Sequence, residues 1–432
     1  MRAAVTRGHG SRVARFKADR LWNTFASISG AAAVNAVLGF GFWALTARLY
    51  SAIFVGFASA AISAVSLVQV LGVFGMSTLV IGDIEAAAPG RRISYLRACM
   101  GIAAVSTLAL SIAWLLGTRA LSETLAAVSD HWLSILLFIL ASVSLAAGSV
   151  QDAAGQGLAR SSRQTVRSVI QGSLRILLLL LLRSLMRSSW ETILLAWTLP
   201  VTPSILIVGR FLGLEPSDKS FHWKEVRGQL LPALKHHVLT LSLVSTTVGF
   251  PVIIASVSRP TDVAWFNVSK NIASAVLLLP FVLSISLFTT TVNNPQRLGS
   301  DLRRTLFAGL LMSGGLIVGV ALFGRLVLSV YGGFYAKEGT ASLLVLVCGG
   351  PFYLIRDQWV MVERVHGRMV GAAIKVGLCS AFELALIGCL AAEFGIIWGC
   401  IGWVGCLSAE MVLFAPPVVR AARWRGAHAL AR

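Results

Sequence analysis

The sequence comprises 432 residues, of which 56% are hydrophobic and 13% charged, and its mean hydropathy is +0.79. A soluble protein of this size cannot bury so much apolar surface, so the composition excludes that class and indicates a polytopic membrane protein. The formal net charge of +19 does not indicate nucleic-acid binding, because the basic residues lie between apolar segments. We expect them to contact anionic lipid headgroups.

Twelve apolar stretches predict an all-α integral membrane protein, since about 20 apolar residues suffice for a helix to cross a bilayer. The predicted spans are residues 22–46, 54–81, 95–117, 131–150, 169–186, 191–211, 234–257, 263–290, 304–328, 340–360, 369–391 and 396–418. Most of the 37 Lys and Arg residues lie in the tails and in alternate connections. This asymmetry predicts that both termini face the cytoplasm and that the protein resides in the cytoplasmic (inner) membrane.

One long charged connection divides the predicted spans into two lobes of six. The expected organisation is a basic tail (1–21), an N-terminal lobe (22–211), a charged linker (212–233), a C-terminal lobe (234–418) and a second basic tail (419–432). Because six is even, an internal repeat would relate the lobes about an axis along the membrane normal. A weak similarity between residues 55–59 and 264–268 favours that arrangement.

Two basic side chains within predicted spans are candidates for binding an anionic substrate. Arg175 lies eight residues, or about 12 Å along a helix, beyond Arg167 at the cytoplasmic side of the fifth span and is either a cavity residue or a member of a structural ion pair. Lys270 lies at a similar depth in the eighth span, where an amine costs at least about 2.5–3.5 kcal/mol. Helical spacing places Asn267, Asn271 and Ser274 on the same face, so we expect that face to line a water-filled cavity.

Three further charges lie in the last two predicted spans. Lys375 and Glu410 are at depths that agree within about 2 Å on adjacent antiparallel helices, which predicts a buried ion pair. Glu383 lies deeper without an evident partner and is either neutralised by desolvation or a proton carrier. These three residues are therefore candidates for coupling or for structural pairing. In the eighth span, Pro280 is expected to bend the helix.

Three segments resemble a known family in their order along the chain. They are NAVLGFGFWALTARLYS (35–51) followed by LGVFGMST (71–78); AWFNVS (264–269) followed by LP (279–280) and SLF (286–288); and YGGFYAKEG (331–339) followed by RVHGR (364–368). Together they resemble polysaccharide biosynthesis transporters and O-antigen (Wzx-like) flippases of the multidrug/oligosaccharidyl-lipid/polysaccharide (MOP) exporter superfamily. The resemblance implies a MATE-like, V-shaped transporter with about twelve helices in two lobes. It would work by alternating access on an oligosaccharide linked to a polyprenyl diphosphate. Arg48, in the first segment, is a further candidate for binding this substrate.

The chain departs from this pattern in two places. The stretch LVIGD (79–83) has no arginine where many relatives have one, and the first span lacks the buried aspartate typical of cation-coupled drug exporters. Two alternatives are a MATE-type drug/cation antiporter, which would need buried carboxylates for its cargo, and a membrane glycosyltransferase. The glycosyltransferase would need acidic residues after the first span, and residues 48–53 contain none.

The prediction is thus a transporter without enzymatic activity that moves a surface-polysaccharide precursor. Its expected partners are the lipid-linked oligosaccharide, anionic membrane lipids, and polymerase or glycosyltransferases of the same pathway. The six cysteines lie in or beside apolar segments without a C-x-x-C pair, so neither a metal nor a cofactor is expected.

Overall fold

A bilayer offers no hydrogen bonds to the backbone, so each apolar stretch of this chain satisfies its own N–H and C=O groups by forming a helix. The computed structural model describes residues 30, 33–118, 122–158, 160, 162–210, 223–291 and 298–423. Side chains are described there except at 89, 223–227, 229, 232, 235, 236, 239 and 279–291. A bend was expected at Pro280, which is one of the residues whose side chains are not described.

The N-terminal half contains nine helices in its described part: α1 (Ala33–Leu49), α2 (Ala52–Gly72), α3 (Met76–Asp83), α4 (Arg92–Thr118), α5 (Glu123–Ala126), α6 (Trp132–Gly157), α7 (Ser162–Leu185), α8 (Trp190–Thr198) and α9 (Val201–Arg210). The C-terminal half contains seven in its described part: α10 (Trp223–Val257), α11 (Pro260–Thr291), α12 (Leu298–Ser329), α13 (Gly333–Cys348), α14 (Gly350–Val365), α15 (Met369–Phe394) and α16 (Ile396–Arg423).

The predicted all-α architecture with about twelve spanning segments in two lobes is confirmed. Ten helical segments of the described chain are long and apolar enough to cross a bilayer, and α1 and α11 are two further apolar helices. Three spans consist of two helices each, because the chain is interrupted between α2 and α3, between α8 and α9, and between α13 and α14. One expectation changes in detail: α10 begins at Trp223, so the segment expected as a linker (212–233) contributes its last residues to a helix.

The interruption of the second span brings the two lobes together. Phe74 (φ 52°) and Gly75 (φ 78°) adopt left-handed backbone conformations that end α2. Helix ends leave carbonyl groups without intrahelical partners, and the carbonyl oxygen of Leu71 accepts a hydrogen bond from Nε2 of His237 on α10 at 3.0 Å. A Cβ atom at Gly75 would lie 2.1 Å from the carbonyl oxygen of Ala233. The backbones of the two lobes are therefore in direct contact here.

A second close contact joins α2 and α11 near their N-termini. A Cβ atom at Gly56 would lie 1.7 Å from the carbonyl oxygen of Pro260, so only glycine fits between these two helices. The same region belongs to one continuous hydrophobic core that includes Val55 and Phe138 of the N-terminal half and Phe266 of the C-terminal half. The candidate site described next lies in the C-terminal lobe beside this shared core.

Candidate substrate cavity

Lys270 lies in the wall of a cavity of about 230 Å³ formed by residues of α10, α11, α13, α14 and α16. Its Nζ atom donates a hydrogen bond to the carbonyl oxygen of Thr247 on α10, at 3.1 Å. Among the described residues it forms no ion pair. The rest of the wall includes Phe250, Ser274, Tyr353, Arg356 and Trp403. The cavity therefore combines an apolar surface with two cationic side chains.

Arg356 of α14 connects this cavity to two buried carboxylates. Its Nη1 atom donates to Oε1 of Glu383 on α15 at 2.7 Å and to Oε2 of Glu410 on α16 at 3.4 Å. Exposed fractions of 5% for the arginine side chain, 0% for Glu383 and 7% for Glu410 show that water reaches none of them freely. The hydroxyl group of Thr246 on α10 donates to the second oxygen of Glu383. Four helices of the C-terminal lobe thus meet at one charged cluster.

This cluster corrects the expected pair between Lys375 and Glu410. Glu410 contacts Arg356, whereas Nζ of Lys375 lies 5.6 Å from the centre of the Trp359 ring, and Lys375 lines a separate cavity near the N-terminal end of α15. Similar depth along two helices does not fix the direction in which their side chains point, and here Glu410 pairs with Arg356 instead. Glu383, which had no evident partner in the sequence, also contacts Arg356.

Sequence reasoning did not single out Arg356, although a usable signal was present. The residue lies inside the predicted span 340–360, where any charge is costly and marks a functional or paired group. In the structure α14 continues to Val365, which places Arg356 about 14 Å from the end of its helix.

A larger cavity of about 710 Å³ lies between α1 of the N-terminal lobe and α11 and α12 of the C-terminal lobe. Asn271 is in its wall, and Ser274 lines both this cavity and that of Lys270. The two cavities therefore adjoin each other along α11. Asn35, also in this wall, donates from Nδ2 to the hydroxyl group of Ser168 on α7 at 3.1 Å. Asn267 is buried, with its Nδ2 atom unpaired among the described residues, and lines neither cavity.

Arg175 is held by Trp197 rather than by a carboxylate. Its Nε atom donates to the carbonyl oxygen of Trp197 at 3.0 Å, and its Cζ atom lies 4.1 Å from the centre of the indole ring. One further atom, Nη2, is buried without a hydrogen-bond partner in the described part of the chain. Arg175 is absent from the walls of both cavities described above. Its neighbour Arg167 forms the ion pair of this helix, with Asp152.

Arg48 joins the two lobes at the end of the bundle that the charge pattern assigns to the outside. Its Nη2 and Nε atoms donate to the carbonyl oxygens of Ser329 and Val330 at 2.7 and 2.8 Å. Ser329 is the last residue of α12, and a cation is favourable at the carbonyl end of a helix. Arg48 therefore links α1 to α12 in this structure and lines neither cavity.

Solved structures align with nearly the whole chain, whereas no protein-family model and no curated protein matches the sequence. The lipid II flippase MurJ in an inward closed conformation aligns with a TM-score of 0.69 at 15% identity, over 91% of this chain and 89% of its own. A mutant of the MATE transporter VcmN from Vibrio cholerae aligns with a TM-score of 0.62 at 15% identity, over 94% of this chain and 98% of its own. An inward-facing multidrug resistance MATE family transporter of the MOP superfamily aligns at 0.60 and 16% identity, over 93% and 97%. The chain therefore has the fold that MATE transporters and MurJ share.

Proposed function

We propose that this protein is a MOP-superfamily transporter that moves an oligosaccharide linked to a polyprenyl diphosphate across the cytoplasmic membrane by alternating access. In this proposal both termini face the cytoplasm, the expected Wzx-like role in surface-polysaccharide biosynthesis holds, and polymerase or glycosyltransferases of that pathway are its partners. The fold supports transport rather than enzymatic activity, because the aligned structures are named as transporters and a flippase.

The observation that carries the choice of cargo is Lys270. An amine inside a membrane span is costly unless it meets water or an anion, and Lys270 faces a cavity with a backbone carbonyl as its hydrogen-bond partner. A diphosphate supplies a counter-ion for Lys270, which has none among the described residues. The adjoining cavity between the lobes, with Asn271 in its wall, gives the rest of a large cargo a place beside the charged group.

The test is delivery of lipid-linked oligosaccharide to the outer leaflet by Lys270 variants, with the amount of inserted protein measured in parallel. Lys270→Arg should retain most delivery because the charge is kept, whereas Lys270→Ala and Lys270→Glu should lose at least about tenfold. That loss corresponds to about 1.4 kcal/mol of binding or activation free energy. Lys337→Ala is the matched control, because the Lys337 side chain is 81% exposed and, among the described residues, its ion pair is with the neighbouring Glu338. Normal delivery by Lys270→Ala at normal abundance would remove this lysine from the mechanism.

We further propose that Arg175 contacts the same cargo from the N-terminal lobe in another stage of transport. Its buried and unpartnered Nη2 atom supports a role beyond its contact with Trp197. A guanidinium holds two phosphate oxygens with a rigid planar fork, whereas the ammonium of lysine acts as a point charge, so Arg175→Lys should transport less than Lys270→Arg. Equal activity of these two variants at equal abundance would contradict this role.

A drug/cation antiporter is the second candidate, and the buried carboxylates Glu383 and Glu410 favour it. Their contact with Arg356 weighs against it, because that guanidinium offsets part of their charge. Export of a cationic dye by inverted vesicles separates the two proposals. Dye export that is lost in Glu383→Gln, with no effect of the Lys270 variants on lipid-linked cargo, would favour the antiporter.

A further inference from the structure

The buried cluster of Arg356, Glu383 and Glu410 contains more negative than positive groups. One guanidinium forms ion pairs with two carboxylates, and none of these three side chains is more than 7% exposed. Asp357, the next residue on α14, adds a further acidic group near Arg356. With both carboxylates ionised the cluster would hold one excess negative charge in a region of low dielectric, which is costly. Its charge state is therefore sensitive to a proton or to a new ion at the guanidinium.

The two carboxylates are bound unequally. Glu383 uses both oxygens, one with Arg356 at 2.7 Å and the other with the hydroxyl group of Thr246. Glu410 has the longer contact of 3.4 Å through Oε2, and its Oε1 atom is buried without a partner in the described part of the chain. The ionisable side chains that face Glu410 in the described part of the chain are Arg356 of α14, Glu383 and Cys379 of α15, and Cys406 of α16 itself. Glu410 is therefore the carboxylate that is easier to separate from the arginine.

Arg356 also lines the cavity of Lys270, so an anion in that cavity meets the same guanidinium as Glu410 does. The volume of about 230 Å³ exceeds that of several waters at roughly 30 Å³ each, which leaves room for a phosphate group. A planar guanidinium binds phosphate oxygens well, and the ammonium group of Lys270, which lines the same cavity, adds a second positive charge.

We propose that Arg356 is a phosphate-binding residue of this cavity and that Glu410 is its exchangeable counter-ion. The proposal rests on the anionic cargo proposed above. A phosphate oxygen replaces Oε2 of Glu410 as the acceptor of the Nη1–H group, and the released carboxylate takes up one proton from water. Protonation neutralises the carboxylate of Glu410 at the same time as the phosphate adds negative charge to the cluster. When the phosphate leaves, Glu410 returns the proton to water and contacts Arg356 again, so anion and proton bind together.

Glu410→Gln tests this exchange without disturbing the stronger contact, because Arg356 keeps Glu383 as its ion-pair partner. The probe is inorganic diphosphate, titrated calorimetrically into the purified full-length protein at pH 7 in buffers of different ionisation enthalpy. The wild type should take up more protons on binding than Glu410→Gln, with a difference approaching about one proton, because the protonation of diphosphate itself is common to both. Between pH 7 and 8 the wild type should lose up to about tenfold more affinity than the variant, as linkage of one proton requires. Glu363→Gln, in the surface pair with Arg368, should behave as the wild type.

Equal proton uptake and equal pH dependence in the wild type and Glu410→Gln would overturn the counter-ion exchange while leaving the proposed transport function standing. If folded and monodisperse wild-type protein does not bind diphosphate, both the counter-ion exchange and the proposed transport of an anionic cargo are overturned. Binding that is unchanged in Arg356→Gln/Glu383→Gln would exclude Arg356 as the phosphate-binding residue. This double variant removes the cation together with its main counter-ion, and its thermal unfolding is measured in parallel.

Discussion

Replacing Arg356 with methionine should destabilise the C-terminal lobe more than the loss of any other single charged side chain in that lobe. The substitution keeps the side-chain volume roughly constant but leaves Glu383 and Glu410 facing each other without a cation. Exposed fractions of 0% and 7% for these two glutamates mean that water cannot solvate them in place of the guanidinium. Removing one partner of a buried ion pair costs about 3–5 kcal/mol, and a single guanidinium serves two carboxylates here. We therefore expect the upper part of that range.

The measurement is the midpoint of thermal unfolding in detergent, together with the yield of monodisperse protein. The triple variant Arg356→Met/Glu383→Gln/Glu410→Gln should recover most of the loss, because neutral amides no longer repel each other and can form hydrogen bonds. Lys375→Met is the matched control: the sequence predicted it as the partner of Glu410, but it lies beside Trp359. It should change stability by less than about 1 kcal/mol. If the triple variant is no more stable than Arg356→Met, or if Lys375→Met is the more damaging single change, the assignment of the ion pair is wrong.

Two further predictions concern topology and the break in the second span. Cysteines introduced at Asp130 and Arg259, both exposed, should react with an impermeant reagent from outside, whereas cysteines at Ala86 and His366 should not; the reverse pattern would contradict cytoplasmic termini. At the break in the second span, Nε2 of His237 donates to the carbonyl oxygen of Leu71 at 3.0 Å. His237→Ala removes this donor and should accelerate amide exchange around Gly75, whereas His237→Gln keeps an N–H donor and should accelerate it less. Equal exchange rates in the two variants would contradict a stabilising role for this hydrogen bond.

The number and position of the spans could be predicted from the sequence because the bilayer imposes the same requirement on every segment. A stretch of suitable length and hydropathy becomes a helix whatever its neighbours are. The interruptions inside spans were harder to predict, since each depends on a contact with another segment. Phe74 and Gly75 follow the end of α2 with left-handed backbone conformations, and Ala233 of α10 packs against Gly75. Neither segment alone shows that the other is present.

The candidate site divides in the same way. Lys270 could be assigned to a cavity from its depth and from the polar residues on its helix face, because a lone amine in hydrocarbon is costly wherever the other helices lie. The partner of Glu410 could not be predicted in this way. The position of a residue along a helix gives its depth in the membrane but not the direction in which its side chain points. Packing of α14, α15 and α16 decided that Arg356 contacts both glutamates and that Lys375 contacts neither. The sequence by itself determined which segments span the membrane and which charges need a partner there; only the tertiary structure determined which partner each charge has, since this depends on the rotation of every helix about its own axis.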